Sequence, residues 1–225
     1  MKIKQIFALM AVSMLSLSAY ADINLQAIYT DKDGMEVTKT PDDEFTEEAP
    51  LRVRFLSNPS NLDPAASLVW HISNQVTGTN LTRYEQDIEF EFTEAGLTTV
   101  TLQVVVDDVV VEEGSFRITI RDSHLEMPTA FSPNGDNYNN DYRAKPNHRS
   151  IVEFHAYIFN RHGQKLYEWH DVNGAWDGTH NGHPVKDGVY FVYVKARGAD
   201  GQQYEIRRDV NLIRNFNATE DTPTP

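Results

Sequence analysis

From residue 23 onward, apolar and polar side chains alternate in short runs. Ile23-Asn-Leu-Gln-Ala-Ile28, Leu51-Arg-Val-Arg-Phe-Leu56 and Asp87-Ile-Glu-Phe-Glu-Phe92 do so, as do Thr99-Val-Thr-Leu-Gln-Val104 and Ser115-Phe-Arg-Ile-Thr-Ile120. A period of two puts one face of an extended chain in a core and the other in water, so each run predicts a half-buried β-strand. Four more strands are predicted over residues 152–159, 165–169, 188–195 and 204–213. Between the first two of these, Asn160-Arg-His-Gly163 reads as a hairpin loop with glycine where positive φ is needed. Helical periodicity is scarce. Short strands separated by turn residues predict an all-β chain of two tandem immunoglobulin-like β-sandwiches.

Ahead of the strands, residues 1–21 read as a secretory signal peptide. Lys2 and Lys4 form its charged start, Ile6 to Leu17 its apolar stretch, and Ala19-Tyr20-Ala21 its cleavage site. The apolar run is short for a membrane span, and no cysteine follows it to take a lipid. The roughly 200 residues that remain suit two domains of about 100 each. The polar, proline-ended stretch 123–128 reads as a linker between a domain at 22–122 and another at 129–214. The proline-containing tail 215–225 reads as disordered.

Charge separates the two halves. Residues 22–126 hold 21 acidic and 7 basic side chains, net −14, whereas residues 127–214 hold 10 and 11, net +1. The acidic front half would repel phosphates, which argues against nucleic acid or an anionic membrane as partner. With no cysteine in the chain, stability has to come from packed cores rather than disulfides.

Candidate chemistry is sparse. Thr129-Ala-Phe-Ser-Pro-Asn-Gly-Asp-Asn-Tyr-Asn-Asn-Asp141 is dense in turn formers and in oxygen ligands. An EF-hand register started at Asn134 puts Tyr138 and Lys145 at ligand positions and fails. Two readings of the loop remain: a calcium site of another type, with Asn134, Asp136 and Asp141 as ligands, or a turn whose side chains cap its own backbone. His180 and His183, with His170 upstream, lack cysteines or a helix to set metal geometry. Neither a G-x-S-x-G elbow nor a glycine-rich phosphate loop is present, and nothing singles out one carboxylate pair. The chain is therefore expected not to be an enzyme.

The second half carries four motifs in order. The first is Phe131-Ser132-Pro133-Asn134-Gly135-Asp136, continued by Asn140 and Asp141, with Asn137 where a glycine is usual. Next come Ile158-Phe159-Asn160-Arg161, followed by Gly163 and Gln164, with His162 in a tryptophan position. Trp176-Asp177-Gly178-Thr179 with Asn181-Gly182, and Asp187-Gly188-Val189-Tyr190-Phe191, complete the set. This half resembles the gliding-motility-associated C-terminal domain, a type B sorting domain of the type IX secretion system of Bacteroidetes. The resemblance implies passage to the periplasm, then across the outer membrane to the cell surface or the medium. The implied partners are outer-membrane translocon components and a porin-like cargo receptor. These motifs read first as determinants of fold, because aspartates before glycines accept N–H bonds within their own turns.

The front half is similar to PKD-type immunoglobulin-like domains. The residues that carry this are Ala49-Pro50 leading into Leu51–Phe55, then Leu68-Val-Trp70-His-Ile72, then Phe92-Thr-Glu-Ala-Gly96 and Thr98–Val104. Trp70 is expected to fill the core. What surface ligand this half takes, glycan or protein, is left open, as is a purely structural role in the surface machinery.

Overall fold

The structure, a computed structural model, describes residues 22–41, 43–136 and 138–214. The expected signal peptide (1–21), the expected disordered tail (215–225) and Asn137 lie outside the described residues. The fold is all-β, with no helix among the described residues.

The front module contains β1 (Asp22–Ile23), β2 (Gln26–Thr30), β3 (Glu36–Lys39), β4 (Phe45–Glu47), β5 (Leu51–Leu56), β6 (Pro59–Ser60), β7 (Ser67–Asn74), β8 (Thr79–Arg83), β9 (Ile88–Phe92), β10 (Gly96–Val106) and β11 (Val109–Ile120). Two sheets face each other across one core: β3-β2-β5-β9 and β4-β11-β10-β7-β8, while β1 pairs with β6. The alternation seen in the sequence is the alternation in burial. In β5, Leu51, Val53 and Phe55 are buried, and Arg52 and Arg54 are exposed. Four rings meet at the centre, with Phe55 5.4 Å from Phe116, 6.0 Å from Trp70 and 6.3 Å from Phe92. Trp70 has no exposed surface, and its indole N–H donates to Glu85 O at 3.1 Å. It fills the core, and its one polar atom is satisfied there.

The second module contains β12 (Ala130–Phe131), β13 (Ile151–Phe159), β14 (Lys165–Trp169), β15 (Thr179–His180), β16 (His183–Pro184), β17 (Gly188–Gly198) and β18 (Gln203–Leu212). Five strands form one sheet in the order β12-β18-β17-β13-β14, with β12 parallel to β18 and the other pairs antiparallel. The opposing layer is the small β15–β16 pair plus irregular chain tied by an isolated Tyr142↔Trp176 bridge. Trp176 sits between the layers with no exposed surface, 5.3 Å from both Phe131 and Tyr190.

The stretch expected to be a linker is packed rather than free. Leu125 and Met127 are buried in the second core. The Ser123 hydroxyl donates to Asp200 Oδ1 at 2.7 Å, and its backbone N–H donates to Asp200 Oδ2 at 3.0 Å. Leu125 and Met127 are two residues apart and so share a face of extended chain, a short period-two signal hidden among polar residues. Burial works to raise the Asp200 pKa, but the hydrogen bonds from Ser123 and the Gln202 backbone outweigh it and hold the carboxyl below its usual range.

The modules also touch directly. Ala95 N–H donates to Ala199 O at 2.9 Å, and Ala49 N–H donates to the buried Ser150 Oγ at 3.2 Å. Ala199 and Val152 pack into the front module's core. All of these second-module residues lie at the end of its sheet where β13 begins and β17 finishes.

Candidate functional site

The four motifs gather at the opposite end of that sheet. In the antiparallel β13–β17 pair, Phe159 faces Phe191. In β17–β18, Gly188 faces Leu212, and Phe131 of β12 lies beside Leu212 on the far side. The Phe131 loop, the 160–163 hairpin and the Asp187-Gly188 turn therefore share one end, from which the chain leaves at Arg214. The Trp176 turn joins them through its contacts.

Arg214 ties two of these segments, the Trp176 turn and the Asp187 turn, to the end of β18. Its Nη1 donates to Val185 O at 2.7 Å and to Asp187 Oδ1 at 2.6 Å, its Nη2 to Gly178 O at 3.3 Å, and its backbone N–H to Asp187 Oδ2 at 2.9 Å. The backbone N–H of Arg214 does most to hold the Asp187 carboxyl below its usual range; burial opposes it, and the Arg214 guanidinium adds to the lowering. Burial raises the neighbouring Tyr190 hydroxyl, which donates to Lys186 O at 2.6 Å. Arg214 had no role in the sequence reading. It lies just beyond the last strand, and only the β17–β18 register, which brings chain end and Asp187 together, reveals the clamp.

Each motif also closes its own turn. Asp177 Oδ1 accepts from the Thr179 N–H at 2.9 Å and its hydroxyl at 2.8 Å, while the Trp176 indole N–H donates to Thr179 O at 2.7 Å. Gly178 has φ +80, and a Cβ there would lie 3.2 Å from both Leu212 Cδ1 and Pro133 Cγ. The left-handed backbone and the tight approach, which a Cβ could enter only by pushing its neighbours aside, are two independent reasons for glycine. Asn160 Oδ1 accepts from the backbone N–H groups of His162 and Gln164 at 2.9 and 3.1 Å, around Gly163. Arg161 is exposed on the same loop.

The oxygen-rich loop behaves alike. Asn134 Oδ1 accepts from Asp136 N–H at 3.0 Å, Asp136 Oδ1 from Tyr138 N–H at 2.8 Å, and Asn140 Oδ1 from Gly135 N–H at 2.8 Å. Asp141 pairs with Arg143 at 2.6 Å. Of the three residues expected as calcium ligands, Asn134 and Asp136 are thus engaged in their own turn and Asp141 with a cation, a geometry that fits the self-capping reading. Ser132 is nearly buried beside Phe131. Among the described residues no group of three or more histidines and carboxylates is placed to hold a metal ion. His180 donates through Nδ1 to Leu166 O at 2.8 Å, and His183 is exposed opposite it.

Residues 125–208 match the family model described as the CHU_C Type IX secretion signal domain. The second module is a type IX secretion signal domain. The match begins at Leu125, which agrees with the burial of Leu125 and Met127 in that module's core. As the carrier of a type IX secretion signal domain, the chain is marked for export by that system, in Bacteroidetes, to the cell surface or the medium. A comparison with curated proteins finds no match.

Among solved structures, the tetra-tandem repeat in the extending region of a large adhesion protein overlaps at 12% identity and a TM-score of 0.29, over 85% of this chain and 67% of that one. Dimeric latent PorU from Porphyromonas gingivalis overlaps at 12% identity and 0.27, over 87% of this chain but 20% of its own. SGBP-B of the Bacteroides ovatus mixed-linkage glucan utilization locus, in complex with a mixed-linkage heptasaccharide, overlaps at 12% and 0.28, over 75% and 42%. Superpositions this loose carry no argument about function.

Proposed function

We propose that the chain is a non-catalytic exported protein of two modules, residues 22–122 and 123–214. The motif-bearing end of the signal domain is the face it presents to the outer-membrane translocon, through a porin-like cargo receptor, after passage to the periplasm. The carrying observation is polarity. The front module is bonded at one end of the second sheet through Ala199 and Ser150, and the four motifs with the Arg214 clamp occupy the other. A passenger fixed at one end leaves the other end open to a receptor. The site's polar side chains close turns rather than converge on a substrate, which supports a recognition role. The motif residues thus act indirectly, by holding the shape that a receptor reads.

The test is a fluorescent protein with residues 1–21 in front and residues 123–225 behind. It is expected at the surface or in the medium when the type IX system works, and in the periplasm when that system is disabled. Equal surface display in both strains would overturn the proposal.

A further inference from the structure

One flank of the front module is open between its two sheets. β9 ends the four-stranded sheet and β8 ends the five-stranded one, so each presents a strand edge with no partner among the described residues. The two strands follow each other in the chain, yet they stand on opposite sheets with a cavity of about 390 Å³ between them. Ile72, Leu81, Phe90 and Phe92 form its apolar wall, and Thr79 and Glu94 also line it. Neither edge is interrupted by a proline, and neither register has a bulge. Such an edge offers its backbone groups to another extended chain.

The cavity is a gap in the packing. Leu81 lies opposite buried Ile72 in the β7–β8 register and so shares its inward face. Phe90 lies on the same face of β9 as buried Ile88 and Phe92. Both are nevertheless only partly buried. One more apolar side chain placed between them would take both further out of water. Glu94 supplies charge at the mouth. Its Oε2 accepts from the Thr77 and Thr79 hydroxyls at 2.6 and 2.7 Å, and these bonds, Thr77 first, hold the carboxyl below its usual range. Glu89 and Glu91 lie on the outer face and share Arg52 at 3.7 and 3.5 Å, whereas Glu94 has no cation against it among the described residues. Arg83 is four residues along β8 from Thr79, about 13 Å off at 3.3 Å per residue.

We propose that this flank is a peptide-binding site. An extended segment of another protein pairs with the β9 edge, seats an apolar side chain in the gap between Leu81 and Phe90, and places a lysine or arginine two residues away beside Glu94. Inward positions of an added strand recur every second residue, so the recognised pattern is apolar, any residue, basic. Main-chain pairing supplies affinity, and the gap with its carboxylate selects the side chains. The carboxylate repels anionic amphiphiles such as fatty acids, and the two bare strand edges favour a ligand with a backbone of its own. A contact this small is weak, with a dissociation constant on the order of 100 µM. The proposal concerns what the front module holds, beyond how the chain is exported. Purified protein tests it without export machinery, so its outcome is separable from that of the secretion reading.

The probes are two end-blocked peptides, Ser-Val-Thr-Leu-Thr-Lys-Ser and the same residues in reverse order, because an edge pairs with a parallel or an antiparallel strand. Titrated into isotopically labelled protein, at least one should shift the backbone amide resonances of residues 79–83 and 88–94, and saturate with a dissociation constant on the order of 100 µM. Leu81→Trp, which fills the gap, should abolish the shifts. Glu94→Gln should weaken binding roughly threefold, as the loss of one exposed ion pair does. High salt should weaken the parent similarly and leave Glu94→Gln nearly unmoved. Melting temperatures establish that both variants are folded. A peptide N-methylated at the leucine and the two threonines beside it should not bind, because it cannot pair as a strand. No saturable shift from either peptide, shifts centred elsewhere, or unchanged binding by either variant would each overturn the proposal. Equal binding of the N-methylated peptide would reduce the site to a side-chain pocket and overturn it as well.

Discussion

Gly178 concentrates the constraints on the signal domain, since its φ of +80 and its close approach to Leu212 and Pro133 both disfavour a side chain. Gly178→Ala should lower the stability of the second module by roughly 1–3 kcal/mol, read as a drop in its melting temperature by calorimetry. Gly182→Ala is the control for φ alone, because that residue has φ +77 with open space around it; its loss should be the smaller of the two. Asp187 gives a pH signature. Its carboxyl is held below its ordinary value of 3.8 by Arg214, so the folded state favours the ionised form. That contribution is fully present above the unfolded value and is lost as pH falls through the lower folded value. Asp187→Asn should therefore melt below the parent at neutral pH, and the gap should narrow as pH drops below about 3.8. A gap that stays constant down to pH 2 would mean that the clamp is not ionic.

At the scale of elements, the long alternating strands were legible and the irregular ones were not. β5, β9, β13 and β14 begin within a residue of the expected runs, because half-buried strands carry a period of two that composition cannot hide. β10 and β11 proved longer than expected. In β10 the alternation continues to a buried Val106, through a run of three valines that hides it in the sequence, while the outer end of β11 from Val109 to Glu113 is exposed or half-buried on both faces, where periodicity marks no boundary. The opposing layer of the second module, around residues 132–150 and 170–187, was unreadable as structure. It is held by Asx turns, the short β15–β16 pair and isolated bridges such as Tyr142↔Trp176 rather than by a repeating pattern. Its turn residues could be named from sequence, but their convergence with Arg214 could not, since that depends on strand register. The Asp107-Asp108 turn between β10 and β11 offers a check on local chemistry. Both of its turn residues have positive φ, as a two-residue hairpin turn requires, and glycine is favoured over aspartate at the second. Asp108→Gly should leave the fold intact and raise the front module's stability by about 0.5 kcal/mol, seen as a small rise in its melting temperature.

At the scale of the whole molecule, the two modules are separate in core yet bonded at one seam. Each has its own cluster of buried residues, and among the described residues Ala199 and Val152 cross into the front core. Ending the chain at residue 122 strips Ala49 N–H and Ala95 N–H of their acceptors, but leaves Phe55, Trp70, Phe92 and Phe116 packed as they are. The shortened protein should fold and melt a few degrees lower than the front module does in the full chain, a penalty on the order of 1–2 kcal/mol for the lost seam. In cells with a working type IX system, that folded fragment should stop in the periplasm, because the signal domain that marks the chain for export is gone. The turn variants separate recognition from folding. If Asp177 and Gly178 act only by shaping the module, then Gly178→Ala should be exported normally at a temperature where it remains folded, and should fail only where calorimetry shows it melting. A variant that is fully folded but retained in the periplasm would move those residues from scaffold to direct contact with the receptor.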